Sequence, residues 1–291
     1  MKNASQFRPP AVHEIDHQAF KVTGLPAFND NYIWIVAAST QNKPGQAVAV
    51  VDPGDAAPVI DYCRRQGVLP EQIWLTHHHA DHTGGVSELC DWVLRQSSGA
   101  PPAVSGPAAE EIPGVTQPLR GGESLMLDGV GVQVLPVPGH TRGHLAYFVP
   151  PTDAISPAAL FCGDALFGLG CGRLFEGTAA QMYESLGRIR ALPAETRIYC
   201  AHEYTLLNLP FALAVDPDNA ALRSRAETIR RLRQNGEPTV PLSLAEECAT
   251  NPFLRSDQDA LRVSAMTADG ASPVEVFTRL RQMRDSFKPP H

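Results

Sequence analysis

The residues with the clearest chemical potential lie in one short run, residues 75–85, which reads Leu-Thr-His-His-His-Ala-Asp-His-Thr-Gly-Gly. The run directly follows an apolar stretch that is typical of a β-strand. Alternate side chains of an extended segment point the same way, so His77 and His79 can bind one metal ion together. Asp81 and His82 then face another direction, before the chain turns into a helical pattern. The run therefore predicts a metal site and can supply ligands to two ions.

Three later apolar runs, each typical of a strand, end beside a further residue that can bind a metal. These residues are His140, Asp164 and His202. Sites in open α/β sheets gather at the carboxyl ends of strands. Any one of the three could be an ordinary turn histidine or a capping aspartate, but agreement between several strand ends favours a shared site.

The number of candidate ligands indicates how many ions the site holds. The candidates are His77, His79, Asp81, His82, His140, Asp164 and His202. One catalytic zinc usually takes only about three ligands from protein, so two divalent cations fit this set better. If Asp164 bridges them, each ion has its own ligands plus a shared carboxylate, with room for a bridging water as the nucleophile. Zinc is the first expectation, with iron and manganese as alternatives.

Other residues near these motifs are candidates for supporting roles. Asp52 ends an apolar run before a Pro-Gly pair, so it can orient a ligand histidine or simply start a turn. For His144 we expect a hydrogen-bonded structural role rather than metal contact, and His78 is expected to be a bystander. A surface histidine cluster that binds no ion is the alternative to the whole metal centre.

Composition restricts the remaining possibilities. The chain has 291 residues and a formal net charge of −7, which favours one large and one smaller domain and argues against broad nucleic-acid binding. No stretch of about 18 apolar residues occurs, and Met1–Phe20 lacks the apolar core of a secretory signal. The 6 cysteines form no closely spaced pair and are expected to be reduced thiols. We expect a cytoplasmic monomer without a membrane or nucleic-acid partner.

The hydrophobic patterns predict two domains, 1–203 and 204–291. In the first, strand-like runs alternate with helical patterns, which favours an α/β domain of mixed sheets with helices outside. Residues 97–122 are expected to be loop with one strand inside, because they are rich in proline, glycine and serine. After His202 only helical patterns are predicted, and helix starts with a capping box are expected at Ser243 and Ser272.

The last predicted helix carries a cluster of positive charges. Arg281 and Arg284 are three residues apart and share a helix face, as do Arg284 and Lys288 at a spacing of four. These cations can bind an anionic substrate. Alternatively, they form a solvated cationic helix end that interacts favourably with the helix dipole.

Taken together, the motifs resemble a known family. The Thr-His-His-His-Ala-Asp-His run, with the segments around His140, Asp164 and His202, resembles the metallo-β-lactamase superfamily. Within it, the sequence resembles the glyoxalase II (hydroxyacylglutathione hydrolase) family over about residues 20–288. The segments that narrow the resemblance are Phe-Asn-Asp-Asn-Tyr-Ile-Trp at 28–34, Asp-Pro-Gly at 52–54, Gly-Asp-Ala-Leu-Phe-Gly-Leu-Gly-Cys-Gly-Arg at 163–173 and Phe-Glu-Gly-Thr at 175–178.

The resemblance implies an α/β fold, a metallo-β-lactamase-like αββα sandwich with a C-terminal all-α, substrate-binding domain. It assigns His77, His79 and His140 to one metal, Asp81, His82 and His202 to the other, and Asp164 to the bridge. It places Arg173, Phe175, His202, Tyr204, Arg281 and Arg284 around glutathione. The family commonly has lysine where Arg173 and Arg284 stand and often tyrosine where Phe175 stands.

The activity implied by the resemblance is hydrolysis of S-2-hydroxyacylglutathione thioesters, with S-D-lactoylglutathione giving D-lactate and glutathione in the second step of methylglyoxal detoxification. Asp81 and Asp164 would be the catalytic residues that act on the metal-activated water. A thiolate leaves readily, so the reaction requires no strong general acid. The alternatives are a lactonase or phosphodiesterase of the same superfamily, a mononuclear-iron persulfide dioxygenase, and a non-catalytic metal-binding module.

Overall fold

The computed structural model of the chain describes residues 9–39, 47–97, 99–151 and 156–288. The expectation about a secretory signal in Met1–Phe20 falls in part on residues 1–8, which lie outside the described residues. Two β-sheets flanked by helices form the layered α/β architecture that the sequence predicted.

The first sheet has seven strands that follow one another in sequence order. The first four run antiparallel to their neighbours, and pairing from the fourth to the seventh is parallel. The strands are β1 (Val12–Asp16), β2 (Phe20–Ala27), β3 (Asn31–Ala38), β4 (Val48–Val51), β5 (Pro70–Trp74), β6 (Ala103–Pro107) and β7 (Gln117–Leu119).

The second sheet has six strands in the order β15-β14-β11-β10-β9-β8. They are β8 (Ser124–Leu127), β9 (Val130–Pro136), β10 (Leu145–Val149), β11 (Ala159–Gly163), β14 (Arg197–Cys200) and β15 (Leu242–Ser243). A separate two-stranded hairpin joins β12 (Leu166–Phe167) to β13 (Gly170–Cys171). A tight turn joins β8 to β9 as an antiparallel hairpin, and Asp128 and Gly129 both have the positive φ that such a turn requires.

Helices cover the outer faces and fill the C-terminal region. The helices are α1 (Ala56–Gln66), α2 (Ala80–Thr83), α3 (Val86–Gln96), α4 (Ala179–Arg190), α5 (Thr205–Val215), α6 (Ala220–Gln234), α7 (Leu244–Thr250), α8 (Asp259–Ser264) and α9 (Pro273–Ser286). None of the helices in the described ranges is long and apolar enough to span a membrane.

Both faces of β3 are buried, which fixes this strand between two cores. Trp34 enters the core shared by the two sheets, whereas Ile33 and Ile35 pack against α1 and α3. Alternation of side chains along a strand explains this division. The first core continues into the C-terminal region through Phe253 and Phe277, so the helical region shares a hydrophobic core with the second sheet.

Capping residues fix where the functionally important helices begin. Thr178 and Gln181 form a reciprocal capping box at α4, and Ser272 and Glu275 form another at α9. The box satisfies backbone N–H groups that the helix itself leaves free. At α7 the side chain of Ser243 accepts from the N–H of Glu246. The helix starts predicted at Ser243 and Ser272 are therefore confirmed. The predicted capping box is reciprocal at Ser272, whereas at Ser243 the structure describes only the bond from the N–H of Glu246.

Two sequence predictions about secondary structure are wrong. The region after His202 is not purely helical, because Leu242–Ser243 pairs antiparallel with Arg197–Ile198 at the edge of the second sheet. Residues 97–122 contain two strands rather than one, β6 and β7, in parallel pairing. An edge strand of two or three residues is too short to show an alternating hydrophobic pattern. Its formation depends on pairing with the neighbouring strand, which the local sequence does not reveal.

Candidate metal site and substrate cavity

The seven candidate ligands meet at one edge of the sandwich, on segments that follow four strands. His77, His79, Asp81 and His82 follow β5, while His140, Asp164 and His202 follow β9, β11 and β14. The turn before Asp164 needs a glycine, because Gly163 has φ +48° and a Cβ there would lie 2.3 Å from Thr76 Oγ1.

The first ligand group consists of three imidazoles whose nitrogens converge. His77 Nε2 lies 3.0 Å from His79 Nδ1, and His140 Nε2 lies 3.1 Å from the same atom. A neutral imidazole has one N–H and one acceptor nitrogen, so ring protons alone satisfy such a three-way cluster poorly. A divalent cation at the centre satisfies all three nitrogens, and these residues therefore fit a metal.

The second ligand group combines two imidazoles with a carboxylate. Asp81 Oδ2 lies 3.5 Å from His82 Nε2 and 3.6 Å from His202 Nε2. The ring nitrogen Nε2 of His82 is buried and has no hydrogen-bond partner among the described residues. A buried polar atom without a partner is costly, and an ion at this position would remove the cost.

Asp164 lies between the two groups and turns one oxygen towards each. Its Oδ1 lies 3.3 Å from His202 Nε2 and 3.5 Å from His82 Nε2, whereas Oδ2 lies 3.4 Å from His140 Nε2. Oδ1 also has no hydrogen-bond partner among the described residues, although it is buried. This geometry is the one expected of a carboxylate that bridges two cations.

The pKa shifts in the first group favour metal binding. Burial lowers the pKa of His77, His79 and His140, in the first of these well below the ordinary value. Neighbouring imidazoles add to this effect at His77. These rings are consequently held in the neutral form that coordinates a metal.

The second group differs because carboxylates surround its imidazoles. Burial lowers the pKa of His202, but Asp164 and Asp30 outweigh it and raise that pKa to about 10. The pKa of His82 is also raised, since Asp164 and Asp52 overcome the effect of burial. Burial would raise the pKa of Asp164, yet His202 and His82 hold it well below its usual range. A cation that binds here must displace protons.

Each group is oriented by hydrogen bonds from outside it. Asp52 Oδ2 lies 3.0 Å from His82 Nδ1, and the same carboxylate accepts from the hydroxyl and the N–H of Thr76. The position of Asp52 is that of a residue orienting a ligand, which was one of its two expected roles. His144 accepts the N–H of Asp164 through Nε2 at 3.2 Å and stacks on His77, so it supports the site without joining a ligand group.

Sequence reasoning did not identify two further supporting residues. Asp30 Oδ1 lies 2.8 Å from His202 Nδ1, and Asn31 Nδ2 donates to Asp81 Oδ2 at 2.9 Å. Asp30 directly precedes β3 and Asn31 begins it, within one of the segments that carry the family resemblance. The run of polar residues at the start of an apolar strand is the sequence signal that could have identified them.

A cavity of about 430 Å³ opens beside the ligands. Its lining includes the predicted residues His140, Asp164, Arg173, Phe175, Tyr204, Arg281 and Arg284, and the unpredicted residues Asp30, Phe167, Cys171, Leu207 and Asn208. The structure thus brings the three predicted arginines to one cavity, although they come from distant parts of the chain.

The residues around the cavity mouth differ in how firmly they are held. Arg281 is buried and donates to the carbonyl of Cys171 and to Asp285, while Arg284 donates to Asn208 Oδ1 at 3.1 Å. Phe175 is 62% exposed and places its ring edge-to-face against His79 and His140.

Tyr204 stacks on the ring of the candidate ligand His202 at 4.6 Å between centroids. Arg173 is exposed, but its carbonyl accepts from His140 Nδ1 at 2.8 Å. The backbone of Arg173 therefore orients a metal ligand while its side chain reaches the cavity.

Comparisons with known proteins agree with this architecture. The family model "Metallo-beta-lactamase superfamily" matches residues 31–202, and "Hydroxyacylglutathione hydrolase C-terminus" matches residues 203–287. A hydroxyacylglutathione hydrolase from Cupriavidus taiwanensis is 48% identical over 272 residues, covering 92% of this chain and 99% of its own length. One from Dechloromonas aromatica is 52% identical over 242 residues and 83% of each chain.

The fold also resembles solved structures at lower identity. The crystal structure of ETHE1 from Myxococcus xanthus superposes with a TM-score of 0.57 at 23% identity, covering 89% of this chain and 88% of that one. At this identity the likeness supports the fold alone.

Proposed function

This chain belongs to the hydroxyacylglutathione hydrolase family of the metallo-β-lactamase superfamily, and we propose that it hydrolyses S-2-hydroxyacylglutathione thioesters. S-D-lactoylglutathione, the proposed substrate, would give D-lactate and glutathione, the second step of methylglyoxal detoxification. The observation that carries the proposal is Asp164, which faces two ligand groups at the floor of a cavity lined with arginines.

The ligand groups are proposed to hold two divalent cations, zinc in the first instance, with iron or manganese as alternatives. When bound, such a pair lowers the pKa of a shared water enough to supply a nucleophile near neutral pH. Asp164 and Asp81 would set the distance between the two ligand groups. The neutral imidazoles of His77, His79 and His140 form the first group.

The cavity explains how a glutathione thioester would be recognised. Glutathione carries two carboxylates, and Arg173, Arg281 and Arg284 offer guanidinium groups that can bind them through paired hydrogen bonds. The stacked pair of His202 and Tyr204 forms a flat surface beside the metal groups, against which the tripeptide can lie. The thioester carbonyl would then face the metal groups.

Bond breaking requires little from the protein beyond positioning. Attack on the carbonyl carbon forms a carbon–oxygen bond and breaks the carbon–sulfur bond, and the sulfur leaves with the electron pair as glutathione thiolate. A thiol has a pKa of roughly 8.5, so the thiolate needs no strong general acid. Asp81 is proposed to orient the attacking water, and the hydrogen bond that it accepts from Asn31 orients its carboxylate.

The decisive experiment is a comparison of substrates with purified protein. We expect hydrolysis of S-D-lactoylglutathione in preference to a lactone and a phosphodiester, and no oxygen consumption with glutathione persulfide. Faster turnover of a lactone or phosphodiester, or oxygen uptake with the persulfide, would favour the corresponding alternative. The second ligand group argues against a mononuclear oxygenase, which would leave Asp81, His82 and His202 without an ion.

The remaining assignments are also proposals. We place the domain boundary near residue 203, with a metal domain before it and a substrate-binding helical domain after it. The free cysteines support a reducing compartment, for which we propose the cytoplasm. We propose a monomer, because residues of a single chain line the cavity, and size-exclusion chromatography with light scattering would test this state.

A further inference from the structure

A buried carboxylate outside the ligand groups holds the loop that carries His140, here called the His140 loop (residues 138–144). Glu110, in the segment between β6 and β7, has a side chain only 3% exposed. Its Oε1 accepts from the hydroxyl of Thr141 at 2.5 Å and from the N–H of Gly143 at 2.9 Å. Glu110 therefore bonds two residues of this loop, both of which follow His140.

The second oxygen of the same carboxylate reaches the metal-binding run. Glu110 Oε2 lies 2.9 Å from Nδ1 of His78, the residue between the ligands His77 and His79. His78 was expected to be a bystander, and it stands outside the two metal-ligand groups. Its contact with Glu110 nevertheless joins the ligand run after β5 to the His140 loop.

Glu176 closes this set of contacts into a ring. His78 Nε2 lies 3.3 Å from Glu176 Oε1, and the N–H of Arg142 donates to Glu176 Oε2 at 3.1 Å. The ring thus runs from Glu110 through His78 and Glu176 to Arg142, and back through the His140 loop. It joins four segments that are distant in sequence.

The close packing around Gly143 shows that this arrangement leaves little room. A Cβ on Gly143 would lie 2.7 Å from Glu110 Cγ and 2.9 Å from its Oε1. Only a glycine allows the backbone to approach the carboxylate this closely. The opposite side of the loop is bound separately, since the N–H of Phe175 donates to the carbonyl of His140.

From these contacts we propose that Glu110 is a positioning residue for the first metal ion of the proposed dinuclear site, on which this inference rests. By tying His78 to the His140 loop, Glu110 fixes His140 relative to His77 and His79. The three imidazoles come from two segments, and a small shift of one segment would separate their nitrogens. Glu110 acts through other residues and does not itself touch the substrate or the ligand groups.

The test measures metal binding directly. Metal-free protein is titrated with zinc against a chromophoric chelator, which gives the number of ions per chain and both affinities. We expect Glu110→Ala to lower the affinity for one zinc ion by about tenfold or more, which is the range typical of lost supporting contacts. The affinity for the other ion should be unchanged. Glu110→Gln should restore most of the affinity, because its amide oxygen can still accept from Thr141 and Gly143.

Two controls separate positioning from general stability. Glu111→Ala alters an exposed neighbour and should bind both ions like the unaltered protein. Thermal unfolding of the metal-free proteins should show Glu110→Gln near the unaltered protein. In the thioesterase assay Glu110→Ala should lower kcat more than it raises KM, since the arginines of the cavity are untouched. If Glu110→Ala does not fold, Thr141→Val removes one of the two loop bonds and should show the same selective loss.

Several results would overturn the inference. Unchanged affinities in Glu110→Ala, with two ions still bound, would show that Glu110 does not position His140. An equal loss of affinity for both ions, together with a lower unfolding temperature, would indicate a purely structural role. A third zinc that disappears in Glu110→Ala would make His78, Glu110 and Glu176 a metal site instead. If the unaltered protein itself binds one ion or fails to cleave the thioester, the proposed function fails first.

Discussion

The two sides of the cavity are constructed differently. On the metal side, short side chains follow strand ends, and outer partners fix the rings: Asp52 holds His82, and Asp30 holds His202. On the opposite side, here called the cationic side, long arginine side chains reach in from the β12–β13 hairpin region and from α9. Arg281 is braced by the Cys171 carbonyl, whereas Arg173 is exposed.

This difference suggests a division of labour between reaction and recognition. A preorganised cluster of ligands acts on the transition state, so damage to it should appear mainly in kcat. Cations that bind carboxylates remote from the reacting carbon hold substrate and transition state alike, so damage to them should appear mainly in KM. The predictions below are designed to separate these two effects.

The largest effect is expected from Asp164→Asn. An amide keeps the size of the side chain but removes the negative charge that faces both ligand groups. We expect kcat to fall by more than about a hundredfold, the upper range for residues that only support a ligand. Steady-state kinetics together with metal analysis would check this, and nearly unchanged activity with two ions bound would contradict the bridging role.

The pH dependence of zinc binding should distinguish the two ligand groups. His202, whose pKa is raised to about 10, must lose its proton before it binds a metal. Affinity of the second group should therefore rise by about tenfold per pH unit below that pKa. The first group, with lowered pKa values, should change little above neutral pH. Zinc titrations of the metal-free protein between about pH 6.5 and 8.5 would check this prediction. The same pH dependence of zinc affinity at both groups would be evidence against the difference between them.

The same pKa shift predicts a stability trend in the metal-free protein. The folded pKa of His202 lies above its unfolded value of about 6.5, so its contribution is complete below that pH and is lost as pH rises through about 10. Chemical denaturation should therefore show a falling free energy of unfolding over this interval. Bound zinc should abolish the fall. A metal-free protein that becomes more stable as pH rises would contradict the assigned pairing with Asp164.

On the cationic side, Arg284→Ala should raise KM for the glutathione thioester by about tenfold to a hundredfold, since a hydrogen bond to a charged group contributes about 1.5–3 kcal/mol. The change in kcat should be smaller. Arg279→Ala is the matched control, because this arginine is exposed on the same helix and does not line the cavity. If both variants raise KM equally, the effect is one of general charge, and the cavity geometry does not explain it.

The smallest effect concerns Phe175→Tyr. The ring already lies against His79 and His140 and is 62% exposed, so a hydroxyl can be added without disturbing the core. One new hydrogen bond contributes about 0.5–1.5 kcal/mol, which corresponds to a KM lowered by up to about tenfold. A large loss of kcat would instead mean that the apolar ring is needed beside the ligands.

Local sequence was sufficient to predict the parts of the site that depend on strand ends. The spacing of His77 and His79 and the positions of His140, Asp164 and His202 after apolar runs indicate a shared metal site from the sequence alone. Glu110 and Asn208 could not be predicted in this way. Each acts through partners remote in sequence, such as Gly143 or Arg284, and has no periodic signal of its own.

The fold shows the same limit. The strand-like runs of the first domain were predicted from their apolar residues, whereas β15, with two residues, is specified only by its pairing with β14. The helical region was predicted from its caps and periodicity. Its shared core with the second sheet, through Phe253 and Phe277, depends on tertiary packing that no local pattern reveals.

The most direct test of the account is a crystal structure of the protein after zinc loading, with the metal content of the same preparation measured by elemental analysis. The account predicts two ions per chain, one among His77, His79 and His140, the other among Asp81, His82 and His202, with one Asp164 oxygen facing each. A single ion with Asp164 turned away from it would contradict the dinuclear site and the hydrolytic mechanism that depends on it.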